Sequence, residues 1–155
     1  MALNINMREQ DRDTLRLIDH CTTINLPTFA DKRGSLTLLD REIATELLPF
    51  KPERVFWIHG VDAMAVRGEH AHRTCWEMVC AVSGSFKLTL SDGREEKVFV
   101  MDSPNNGVII PPMVWCRLED FSPNAVCLTF ASGDYDASGY INDFEELRQT
   151  NDEQE

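Results

Sequence analysis

A chain of 155 residues, 43% hydrophobic and 26% charged, has the size and composition of one soluble domain and leaves no room for a second. Its uncharged apolar runs, 78–82 and 108–114, fall well short of the roughly 20 residues that cross a bilayer, so no membrane partner is expected. The formal charge of -11 argues against nucleic acid as a partner, although a few arginines can still gather an anionic small molecule in a pocket.

Residues 1–20 are polar and charged, lack the apolar stretch of a secretory signal, and read as a flexible N-terminal arm on a cytoplasmic protein. From Ile24 onward, short apolar runs alternate with turn signals: Asp31 to Gly34, Ser83-Gly84, Ser91-Asp92-Gly93, Ser103 to Gly107, and Ser122-Pro123-Asn124. Such spacing predicts an all-β domain over residues 21–149. A helix is expected over residues 40–48, started by Asp40. Phe86, Leu88 and Leu90 alternate with Lys87, Thr89 and Ser91 before an Asp92-Gly93 turn into Val98 and Val100, which predicts a hairpin with one buried face. A second helix is expected over residues 138–149, capped by Ser138, with Tyr140, Ile141, Phe144 and Leu147 on one stripe. That placement assigns Tyr140 to helix packing. Residues 150–155 read as an acidic, disordered tail. The five cysteines, Cys21, Cys75, Cys80, Cys116 and Cys127, are odd in number and include no C-x-x-C pair, so they read as reduced thiols.

Eight or more short strands leave a sandwich, a closed barrel or a jelly roll. His70-Ala71-His72 carries the chemistry. In a strand the period of two sends both imidazoles to one face, where they can share a ligand or a metal. Glu77 follows five residues after His72, and Gly84 seven residues later, completing the H-x-H-x4-E-x6-G pattern of a first cupin motif. The second cupin motif usually brings in a third histidine. Pro111-Pro112-Met113-Val114-Trp115-Cys116 fits its spacing but ends in cysteine, so the usual cupin metal cage is incomplete. Because thiolate ligates zinc or copper, His70, His72, Glu77 and Cys116 remain an alternative four-ligand metal site.

Further segments occur in order: Arg33 to Leu36, Arg54 to Ile58, Arg67 to His72, Asp102-Ser103-Pro104, Pro111-Pro112, Trp115, Asp120 to Ser122, Ala131-Ser132 and Tyr135-Asp136. Together they resemble the WxcM-like sugar 3,4-ketoisomerases that act on thymidine diphosphate 4-keto-6-deoxyglucose. The resemblance implies a cupin jelly roll (double-stranded β-helix) with a short C-terminal helix, no cofactor, a nucleotide-sugar substrate and a homodimer. It also implies an intramolecular transfer of the carbonyl from C4 to C3. On this reading His72 is the base, His70 its partner in orientation or relay, and Arg67 and Arg54 meet the anionic substrate. Glu77, Cys116 and Trp115 complete the set of substrate-binding candidates. Two positions depart from the family: Phe56-Trp57 stands where a tyrosine is usual, and Cys116 where a histidine is usual. Phenylalanine and tryptophan pass no proton in this role, and a thiol is a weak hydrogen-bonding acid, which leaves the proton donor unassigned and a non-catalytic nucleotide-sugar-binding cupin as a further alternative.

Overall fold

The computed structural model describes residues 16–154. In chain order the strands are β1 (Thr23–Asn25), β2 (Thr28–Asp31), β3 (Gly34–Thr37), β4 (Arg54–His59), β5 (Arg67–His72), β6 (Glu77–Ser83) and β7 (Phe86–Ser91). They continue with β8 (Glu96–Met101), β9 (Asn106–Ile110), β10 (Trp115–Glu119), β11 (Val126–Ala131) and β12 (Tyr140–Ile141). One five-stranded sheet has the order β1-β9-β6-β11-β4 and the other β12-β5-β10-β7-β8, with every pairing antiparallel. Strands β2 and β3 form a separate hairpin. This is the expected all-β jelly roll. The inward residues of both sheets meet in one cluster that joins Val79 and Ala81 of β6 to Leu88 and Leu90 of β7, Leu118 of β10 and Cys127 of β11. Phe86 stacks on Phe121 within that cluster, 5.2 Å between ring centroids.

The hairpin β7–β8 forms as its alternation predicts, with Phe86, Leu88 and Leu90 buried and an Asx-type turn in which Asp92 Oδ1 accepts from the backbone amides of Arg94 and Glu95. Helix α1 (Arg41–Leu47) starts at Asp40, whose carboxylate accepts from the Ile43 amide, and buries Ala44 against the outer face of the first sheet with Met78 and Ile109.

Both ends of the chain depart from the expectation. Residues 1–15 of the expected arm lie outside the described residues, but its end is docked: Leu17–His20 makes one 3-10 turn, Ile18 is buried in the core, and Lys97 Nζ donates to the Cys21 carbonyl at 3.2 Å. At the other end the predicted helix divides. Residues Ala137–Gly139 form a 3-10 turn, Tyr140–Ile141 pairs with β5, and helix α2 (Phe144–Glu153) begins at Asp143 instead of Ser138. Asp143 Oδ1 accepts from the amides of both Glu145 and Glu146, a stronger cap than a serine upstream of a strand can offer. The helix also runs through the expected disordered tail. Asn151 Nδ2 donates to the carbonyls of Asp92 and Met113, and Asp152 pairs with Arg94 and Arg148, so residues 150–153 gain tertiary partners that their composition does not announce.

Candidate active site

Alternation on five strands builds the site. On β5, His70 and His72 point between the sheets while Ala71 points out to Ile141 and Leu147. On β6, Glu77 and Val79 face inward and Met78 outward. Cys116 and Leu118 of β10, Thr129 of β11, and Phe56 and Ile58 of β4 complete the inner wall. These side chains line a cavity of about 930 Å³ between the two sheets, within the range that holds small-molecule ligands.

Backbone geometry at β5 sets the histidines. Gly68 has φ +79° and Glu69 φ +59°, and the pairing with β10 slips there, so that His70 lies opposite Cys116 and Gly68 opposite Arg117. Such a bulge re-aims the side chains next to it. A Cβ on Gly68 would stand 2.8 Å from the Cys116 carbonyl oxygen, so both the φ and the close approach require glycine.

His72 and Glu77 are both buried, and His72 Nε2 lies 2.8 Å from Glu77 Oε1. With the carboxylate ionised, Nε2 carries the proton and donates to Glu77, leaving Nδ1 as the basic nitrogen. Sharing the cavity, the His70 ring lies edge-on to His72 with centroids 5.0 Å apart. Burial holds its pKa below the ordinary histidine value, and the neighbouring His72 adds to the effect. Cys116 Sγ sits 4.0 Å from His70 Nε2. Burial drives this thiol far above its usual range, so it stays protonated.

The ligand atoms of His70, His72 and Glu77 lie within 4.8 Å of one another, but Cys116 does not join them. Three members of the four-ligand metal alternative, His70, His72 and Glu77, are thus brought together, and Cys116 stands apart from them. Without a metal, the Glu77 carboxylate is engaged by His72 and the Cys116 thiol is neutral and deeply buried.

Other expected site residues separate into two groups. Arg67 lines the cavity. Arg54 does not. It lies over the Phe56 ring, 5.3 Å from its centroid, and beside the Tyr140 phenol, with its Nε buried and unpartnered. Trp115 also lies outside the cavity: because Cys116 faces inward, alternation turns Trp115 out, where it packs edge-on against Phe144 of α2 with centroids 5.4 Å apart. Arg73 and Arg117 are likewise turned away, pairing with Glu146 and Glu119.

Sequence reasoning missed Tyr140. Its backbone pairs with His72 across β12–β5, and its ring packs 4.8 Å from His70 and 4.5 Å from His72, centroid to centroid. Tyr135 follows it at 5.9 Å, and both line the cavity with Asn142. The signal was present. Asp143-Phe144-Glu145-Glu146 is a D-x-x-E start, which places Tyr140 before the helix.

The chain around this paired histidine face also matches a known family: the family model described as FdtA: WxcM-like, C-terminal, covers residues 19–152. The chain belongs to this family. Among its relatives is the TDP-4-oxo-6-deoxy-alpha-D-glucose-3,4-oxoisomerase of Aneurinibacillus thermoaerophilus, 31% identical over 126 residues that span 81% of this chain and 88% of that protein. The 3,4-ketoisomerase QdtA of Thermoanaerobacterium thermosaccharolyticum, solved as a variant with TDP-4-keto-6-deoxyglucose, superposes with a TM-score of 0.82 at 30% identity, covering 87% of this chain and 96% of that one. The WlaRB TDP-quinovose 3,4-ketoisomerase of Campylobacter jejuni gives 0.77 at 33% identity, over 83% of this chain and 97% of that one. The WxcM-like ketoisomerase resemblance read from the sequence therefore stands.

Proposed function

We infer that the protein is a sugar 3,4-ketoisomerase that moves the carbonyl of a TDP-linked 4-keto-6-deoxyhexose from C4 to C3 in deoxysugar biosynthesis. The observation that carries this reading is the buried His72–Glu77 pair facing His70 in a cavity of nucleotide-sugar scale, in a chain whose similar proteins are named for this reaction. The proton on C3 is acidified by the adjacent C4 ketone. His72, with Glu77 fixing its tautomer, removes it through the free nitrogen, and the same imidazolium returns a proton to C4. His70, kept neutral by burial, orients substrate oxygens beside it. Arg67 at the cavity wall meets the substrate's anionic oxygens.

The chemistry needs no cofactor, since an enediolate forms by proton transfer alone. The enzyme acts as a cytoplasmic homodimer. Support for the location is the set of free cysteines, four of them buried, and for the dimer the exposed apolar side chains Phe29, Leu36 and Trp57.

Proton NMR in deuterated water, with chelator-treated protein and TDP-4-keto-6-deoxyglucose, tests the reading. Exchange at C3 and appearance of the 3-keto sugar are expected. Absence of both overturns the assignment, and activity restored only by an added divalent cation overturns the metal-free chemistry.

A further inference from the structure

The isomerisation leaves one proton to place: the oxygens at C3 and C4 must exchange a proton as the carbonyl moves, Phe56 and Trp57 have no proton to give, the Cys116 thiol is held neutral by burial, and His70 is taken up with orienting the substrate oxygens. We propose that Tyr140, braced by Arg54, is the acid and base that shuttles this oxygen-bound proton, in place of the tyrosine that the chain lacks at Phe56-Trp57. The proposal rests on the ketoisomerase reading above and adds a catalytic residue to it.

Geometry carries it. Tyr140, His70 and His72 form a triangle of rings with sides of 4.5–5.0 Å at the cavity wall. Pairing of Tyr140 with His72 across two antiparallel strands fixes its backbone, so the phenol is held by a sheet instead of a loop. The groups that bear on the phenol are Arg54 from β4, His70 and His72 from β5, Glu77 from β6, and Tyr135 from the preceding loop. Arg54 is the cation among them, set beside the phenol and over the Phe56 ring, where its guanidinium favours transient phenolate character. Burial acts against that charge and keeps the resting phenol protonated, the state an acid needs.

The step balances. As His72 takes the C3 proton, the C–H pair forms the C3=C4 bond, the carbonyl pair moves to O4, and O4 takes the Tyr140 proton. The O3–H bond then breaks, its proton returns to the Tyr140 phenolate, and its electron pair forms the C3 carbonyl. The C3=C4 pair accepts the proton of the His72 imidazolium at C4. Both side chains end as they began. Because O3 and O4 sit on neighbouring carbons, one phenol serves both.

Tyr140→Phe tests the proposal, with wild-type turnover measured in the same NMR assay. The expected result is a fall in kcat of about 100-fold, with TDP affinity by calorimetry unchanged. A second measurement replaces Tyr140 with 3,5-difluorotyrosine, whose phenol is more acidic. Since the donor must be protonated, the alkaline limb of the kcat profile should move to lower pH. Turnover of Tyr140→Phe within threefold of wild type overturns the proposal and leaves the ketoisomerase reading intact. An unmoved alkaline limb, or TDP affinity lost in step with kcat, overturns it in favour of a packing role. An inactive wild-type protein overturns both.

Discussion

In the proposed reaction, His72 works through one hydrogen bond. Glu77 lies 2.8 Å away and is as deeply buried, so the carboxylate decides which ring nitrogen is free to act as base. Glu77→Gln keeps the shape but removes the charge, and its amide can donate to the ring as readily as accept from it. The expected outcome is a loss of about 100-fold in kcat with little change in KM, measured on TDP-4-keto-6-deoxyglucose, and at least that loss in His72→Asn. Near-normal turnover in His72→Asn removes it as the base. Cys116 shows the opposite case: its thiol faces the cavity, yet burial keeps it protonated, so it fills space beside His70.

Two elements deliver these residues, and each depends on a local backbone event. Strand β5 needs its bulge, because a regular pairing with β10 would shift the register at His70. Gly68→Ala places a Cβ 2.8 Å from the Cys116 carbonyl oxygen at a φ of +79°, and should destabilise the fold by about 3 kcal/mol in urea titration. Unchanged stability and turnover would remove the bulge from the account. Strand β12 is only two residues long, but it carries Tyr140 to His72 and Ile141 into the cluster beneath α2. Helical periodicity in residues 140–147 mimicked a continuous helix: Ile141 and Leu147 pack into one outer cluster from a strand and a helix in turn, and the stripe alone does not distinguish them.

At the scale of the whole molecule, the β2–β3 hairpin is a two-stranded sheet that pairs with neither large sheet and exposes Phe29 at 62% and Leu36 at 58%. An isolated hairpin of this kind is marginal in water, and a second copy of the chain would give it a partner. Sedimentation velocity should find a dimer for the wild type and a monomer for the Phe29→Asp, Leu36→Asp variant; a monomeric wild type refutes the assembly. The sequence alone was enough for an all-β domain, for the shared face of His70 and His72, and for the outward direction of Arg73 and Arg117, because strand alternation is a local rule with a period of two, while the jelly roll followed from the cupin motif and the family resemblance. The family resemblance was legible for the same reason, since its motifs are short and contiguous. Only the tertiary structure decided the rest. It set Arg54 beside Tyr140, turned Trp115 out under α2, left Cys116 apart from the His70, His72 and Glu77 cluster, ordered residues 150–153, and brought Tyr140 to the histidines. These outcomes rest largely on contacts between segments distant in sequence, where the partner and its side of the sheet follow from how the two sheets and the C-terminal segment close over one another.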